Sequence, residues 1–200
     1  MSNLNPGNTE LIYASNGAAT AKDTFTSEVT INNTGGMSPQ VRLPNDFWRA
    51  GKASSAVGRT IKIVAKGIVS STGTPTFTWT IRAGAAGSTT GPVLLQSGDL
   101  ATASGISAVP WNLEGYITLE TIGAPGGNST IRGIGTLLTD GYSATATTKM
   151  YQLYGGAASP GTVTTFDTTI ANFINFNITC SASSSSNTIT LQQLLVYGLN

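Results

Sequence analysis

The sequence contains no histidine and a single cysteine, Cys180, in 200 residues, and it carries only ten basic and nine acidic side chains. Without histidine there is no Ser-His-Asp relay, and without histidine and cysteine together there is no zinc cage. A calcium loop needs acidic residues clustered at alternating positions. Asp23 and Glu28 are too widely set for that, and Asp140 and Asp167 stand alone. One cysteine cannot close an internal disulfide. Cys180 alternates with Phe176 and Ile178, which makes it a small buried apolar residue, with no base or cation nearby in sequence to activate it. Most active sites need a tunable proton donor, an activated nucleophile or a metal. The expectation is a protein that is not an enzyme and needs no cofactor.

Charge is equally sparse. The formal net charge is +1, and the basic residues are scattered with no run among them. A nucleic-acid binder would show a basic stripe that neutralises phosphates, so nucleic acid is not an expected partner. The loose group from Arg49 to Lys66 is the one place such a reading could begin, and it fits equally a partly solvated strand with its preceding loop. No apolar stretch is long enough to span a membrane. The first eight residues have neither the basic region nor the apolar core of a secretory leader, so synthesis in a cytoplasm is expected. The triplets starting at Asn32, Asn128 and Asn177 match the glycosylation pattern, which is expected by chance in a chain so rich in Asn and Thr.

What the chain does have is Thr, Ser, Gly and Ala, with β-branched and aromatic residues at every second position. Two hundred residues fit one β domain, large enough to bury roughly 70% of its extended surface. Residues 1–22 read as a polar N-terminal arm with one short strand around Leu11-Ile12-Tyr13, and 23–200 as a single sandwich domain. Strands are expected over Thr24–Ile31 and Gln40–Leu43, with a helical turn at Asn45–Trp48 capped by Asn45. Arg59–Ser70 places Ile61, Ile63, Ala65 and Gly67 on one face. Thr76–Ala83 sets Phe77, Trp79 and Ile81 against Thr78, Thr80 and Arg82, which predicts one buried and one wet face. Joined by Ser71–Pro75, these two strands read as a hairpin. Trp111–Ile122 opposes Trp111, Leu113, Gly115, Ile117 and Leu119 to Asn112, Glu114, Tyr116, Thr118 and Glu120, and pairs through a Gly-Pro turn with Thr130–Leu138.

Further strands are expected at Val93–Leu95, Tyr151–Tyr154, Thr162–Thr165, Asn175–Ser181 and Thr188–Tyr197. The last has Ile189, Leu191, Leu195 and Val196 as core members. Asp167–Ile174 has the three-four spacing of a short helix with Asp167 as its cap. Eight to ten strands with turns every ten residues or so predict an all-β, two-sheet antiparallel sandwich, jelly-roll-like rather than a meander.

Few residues offer chemistry. Glu114 and Glu120 share a strand face, but six residues of extended chain separate them by roughly 20 Å, too far for a glycosidase pair. The glycine-rich segments at 84–87 and 123–127 open no helix and are turns, not phosphate cradles. Trp79 and Trp111 lie on regular strand faces and belong to the core. Trp48, Tyr142, Tyr151 and Tyr154 fall in irregular segments and are the candidates for exposed contact, to sugar or to another subunit.

Several phrases carry a resemblance: Leu43-Pro44-Asn45-Asp46-Phe47-Trp48, Gly73-Thr74-Pro75-Thr76-Phe77-Thr78-Trp79-Thr80-Ile81-Arg82, Pro110-Trp111-Asn112-Leu113-Glu114-Gly115 and Asn187-Thr188-Ile189-Thr190-Leu191. Over residues 40–197 the chain resembles β-sandwich structural proteins of tailed-bacteriophage virions, including jelly-roll cement or decoration proteins of the head. The resemblance implies a homotrimer on the capsid surface with the major capsid protein as partner. Related sandwiches also occur in tail fibres, where the implied role is receptor binding. These are strand and turn phrases, so no functional residue transfers.

Overall fold

A computed structural model describes residues 9–49, 58–127, 129–140, 149–156 and 161–199. Among them run thirteen strands: β1 (Thr9–Ala14), β2 (Val29–Thr30), β3 (Arg42–Leu43), β4 (Thr60–Ser70), β5 (Thr76–Gly84), β6 (Val93–Gln96), β7 (Leu100–Ala101), β8 (Val109–Thr121), β9 (Ser129–Thr139), β10 (Lys149–Tyr154), β11 (Thr162–Phe166), β12 (Asn172–Cys180) and β13 (Thr188–Leu199). Every pairing is antiparallel. The hydrogen-bonded path is β1-β13-β4-β8-β9-β10-β6-β5-β12-β2. Its link from β10 to β6 is a single residue pair, Tyr154 with Gln96. There the path folds over, so that β1-β13-β4-β8-β9-β10 faces β6-β5-β12-β2. The chain is an all-β antiparallel sandwich.

Alternation explains the long strands. In β4, Ile61, Ile63, Ala65, Gly67 and Val69 are buried while their neighbours are partly or fully exposed. In β8 the buried set is Trp111, Leu113, Gly115, Ile117 and Leu119. The expected β8–β9 hairpin forms, with Trp111 opposite Thr139 and Ile117 opposite Gly133. The layers meet at Trp111. Its indole stacks on Phe176 of β12 (5.7 Å between centroids, 26° between planes) and meets Trp79 of β5 edge-on at 6.1 Å. This cross-layer contact needs Gly67. A Cβ there would stand 2.0 Å from Thr190 O and 2.5 Å from the Trp111 ring.

The structure corrects five expectations. β4 and β5 do not form a hairpin: β4 pairs with β13 and β8, while β5 pairs with β12, β6 and β7. The Ser71–Pro75 link crosses between layers, because each strand has an apolar face that must meet the opposite sheet. The threonine face of β5 is not wet, since Thr78 and Thr80 are buried. Asp167–Ile174 is not a helix. The Asp167 carboxylate accepts from the Thr169 amide and hydroxyl, an Asx turn that leads straight into β12. Thr24–Ile31 shrinks to the two residues of β2. In β13 a bulge at Gln192 shifts the alternation, so Leu194 and Val196 are core while Leu195 turns outward.

Residues 45–48 do make a tight turn, a 3-10 segment at Phe47–Arg49 whose Phe47 amide donates to Pro44 O. Segment 9–22 runs along β13: Leu11 lies opposite Tyr197, the Ala19 amide donates to Leu191 O, and Lys22 bridges to Ile189. Cys180 is buried, and burial pushes its thiol pKa up.

The outside of the smaller layer is sealed. Arg82 forms a two-pronged pair with Glu28 at 2.7 and 2.8 Å and donates to Gly91 O. Asn177 donates to Glu28 and to Ser88 O. Asn175 donates to Ala85 O and accepts from the Gly87 amide. Asn32 bonds Ile174 O and the Phe176 amide, as a neighbouring strand would. The 85–91 loop is thus fastened over β5 and β12. Asn32 and Asn177, two of the three glycosylation matches, are buried here; Asn128 lies outside the described residues.

Two stability measurements check this account. Glu28→Ala leaves the Arg82 guanidinium, only 18% exposed, without its carboxylate, and should lower the free energy of urea unfolding by on the order of 3 kcal/mol. Gly67→Ala forces a methyl between the indole and a carbonyl and should lower it by about 2 kcal/mol or more. An unchanged urea midpoint in either variant contradicts the packing described.

Candidate binding face

With one layer sealed, the outward face of the six-stranded layer is the large regular surface open to solvent among the described residues. Register places its side chains in rows. One row crosses all six strands: Leu11, Tyr197, Lys62, Tyr116, Ile134 and Tyr154. Next to it runs Val64, Glu114, Thr136 and Gln152, and beyond that Lys66, Asn112, Leu138 and Met150. Tyr116, Ile134 and Met150 are 40%, 53% and 65% exposed, well above the usual level for large apolar side chains in strands.

The tyrosines of this row are arranged, not scattered. The Tyr116 hydroxyl donates to Glu114 Oε1 at 2.8 Å, and the Tyr154 hydroxyl donates to Gln152 Oε1. In each case the acceptor is two residues back on the same strand face, roughly 7 Å along the chain. Each phenol therefore leans along its own strand and is tied there by its hydroxyl. Lys62 fixes the first ring further. Its ammonium is 3.0 Å from Glu114 Oε1 and 5.4 Å from the centre of the Tyr116 ring.

At one end of the face, beside the Gln192 bulge, lies an open recess of about 430 Å³ whose wall includes Lys66, Pro110, Asn112, Leu138, Asp140 and Gln192. It combines amides, one charge of each sign and an apolar side.

The charges nearest the tyrosine row are internally matched. Lys62 pairs with Glu114, and Glu120 pairs with Arg132 at 2.6 Å. Arg59, from the loose basic group, pairs with Glu10 at 3.2 Å. The two glutamates of β8 are therefore each engaged by a different cation. No three His, Cys, Asp or Glu side chains come together as metal ligands among the described residues. No helix among them is long and apolar enough to cross a membrane.

Of the four residues expected at an exposed contact, Tyr154 faces outward. Trp48 does not: it is 1% exposed, held edge-on between Phe47 and Phe166 at 5.7 and 5.6 Å. The 3-10 turn points it into the core. Tyr151 alternates inward, opposite Leu137, and packs against the core; burial pushes its hydroxyl pKa up. Tyr142 lies outside the described residues. Tyr116 and Tyr197 were not among the four aromatics expected at an exposed contact. The signal for Tyr116 was present, since it sits on the polar side of the β8 alternation, where an aromatic ring has no core to enter.

No family model matches the chain, and no curated protein matches it. Among solved structures, the CBM2 module of the evolved Dit of Lactobacillus casei BL23 phage J-1 is similar at 10% identity, with 96% of each chain covered and a TM-score of 0.34. A legume lectin-like domain from Entamoeba histolytica is similar at 10% identity, over 96% of this chain and 89% of that one, with a TM-score of 0.28. The sandwich assignment rests on this chain's own strand register.

The Tyr116 hydroxyl and then Lys62 hold the Glu114 carboxyl below the usual range, and the hydrogen bond to Glu114 holds Lys62 above its own. A lowered carboxyl pKa stabilises the folded arrangement above the ordinary carboxylate range and stops doing so as pH falls through it. A raised lysine pKa acts below the ordinary lysine range and is lost as pH rises past it. The Tyr116 ring signals in an NMR titration should hold steady from neutral pH down through the ordinary glutamate range and move only below it. In Lys62→Met the transition should shift upward. A transition that stays put in that variant contradicts the coupling.

Proposed function

We propose that the chain is a non-catalytic recognition module of a bacteriophage virion that binds cell-surface carbohydrate through the outer face of its six-stranded layer. One observation carries the reading: the Tyr116 and Tyr154 hydroxyls are tied to Glu114 and Gln152 on their own strands, which holds both rings in place on the outward face before any ligand arrives. The C–H face of a sugar ring rests on such a surface, and the neighbouring Glu114, Thr136 and Gln152 supply partners for its hydroxyls. Rings already fixed in the binding orientation lose little entropy on binding. The virion setting comes from the resemblance across residues 40–197.

Purified protein should be retained by immobilised host cell-wall glycans, and Tyr116→Ala should weaken retention by about fivefold or more with an unchanged melting temperature. Equal retention of the two proteins removes the tyrosines from the site.

A second reading, a decoration protein seated as a homotrimer on the major capsid protein, is favoured by a different part of the face. Leu138 and Met150, directly opposite each other on β9 and β10, form an exposed aliphatic pair that suits the apolar centre of a protein contact better than a sugar. On that reading the chain adds to bare phage heads and raises their heat resistance, and Met150→Glu abolishes the addition while leaving glycan retention intact.

A further inference from the structure

The tyrosine row has a period. β13, β8 and β10 each run antiparallel to the strand between them, β4 or β9, so all three run in the same direction. Tyr197, Tyr116 and Tyr154 occupy the same register row on these three strands. Two strand spacings, about 9.5 Å, separate successive tyrosines, and sheet twist turns each by about 40–50° from the last. On β8 and β10 the repeat extends to the acceptor two residues back, Glu114 on one and Gln152 on the other. On β13 the matching position is Leu195, which offers no acceptor, so Tyr197 lacks that anchor.

Resting on the carbohydrate reading above, we propose that this row takes a linear, uncharged glycan laid across the strands, with one sugar of each disaccharide repeat stacked on each tyrosine. In a β-1,4-linked chain alternate sugars flip, so equivalent faces recur every second residue. A platform repeating every second strand matches that periodicity, whereas a pocket for a terminal sugar would show no repeat. Two further features define the ligand. Lys62 and Glu114 neutralise each other beside the rings, so an anionic chain would lose hydration at that pair without meeting net positive charge in return. The progressive turn between rings suits a single chain free to twist and opposes a flat crystalline surface.

Calorimetry with ladders of cello- and chito-oligosaccharides tests the proposal on the full chain. Affinity should climb in steps from disaccharide to tetrasaccharide to hexasaccharide as one, two and then three rings are engaged. Tyr154→Ala should erase one step, costing about five- to tenfold on the hexasaccharide and little on the disaccharide. Tyr154→Phe keeps the ring but frees it from Gln152, and should give an intermediate loss. Affinity that saturates at the disaccharide, or that is highest for a sulfated or uronic-acid chain and falls steeply with salt, overturns the proposal while leaving carbohydrate recognition standing. Failure of these ladders together with failure to retain any host glycan overturns both.

Discussion

The contact between Trp111 and the opposite layer governs the rest of the structure. Trp111 lies over Gly67 and reaches Phe176 and Trp79 across the core, so it sets which side of the six-stranded layer faces inward. Because side chains alternate strictly along a strand, that choice also fixes the outward set on β4 and β8. Lys62, Glu114 and Tyr116 are outside because Ile61, Leu113 and Ile117 are inside. The candidate binding face is thus the other half of the pattern that makes the core.

The two outer faces then diverge. On β5 and β12 the outward residues are Thr80, Arg82, Asn175 and Asn177, short or branched polar groups that hold the 85–91 loop and Glu28 against the sheet. On β8, β9 and β10 they are Tyr116, Ile134, Leu138, Met150 and Tyr154, and no described segment covers them. Burying that much polar surface on one side requires nearly complete hydrogen bonding. Leaving apolar side chains exposed on the other is what interaction surfaces do. One outer face is closed by the chain's own loop, and the other is left open among the described residues.

Much of this was legible in the sequence, and its limits have physical causes. The β4, β8 and β9 cores follow from period-two alternation, and the β8–β9 hairpin from its glycine-rich turn. The β4–β5 hairpin misled because a five-residue Gly-Pro link serves equally well to cross between layers, and pairing partners are decided by packing that no local pattern records. The supposed helix at Asp167 failed because an Asx turn and a helix cap begin with the same residue. The Gln192 bulge moved Leu195 outward because one extra residue inverts every later position. Of the aromatic candidates, Tyr154 lies on the outward face, whereas the position of Trp48 depends on Phe166, more than a hundred residues away in sequence. The tyrosine row itself could not be read beforehand, since it exists only once β13, β8 and β10 are brought into a common register.

The central claim is that recognition resides on the outward face of the six-stranded layer. Mapping amide and tyrosine NMR shifts of the labelled protein on addition of host cell-wall polysaccharide tests it most directly. Perturbations should cluster at Lys62, Tyr116, Thr136, Tyr154 and Tyr197 and leave the 85–91 loop untouched. Shifts concentrated on that loop, or on Asn175 and Asn177 beneath it, would contradict the account.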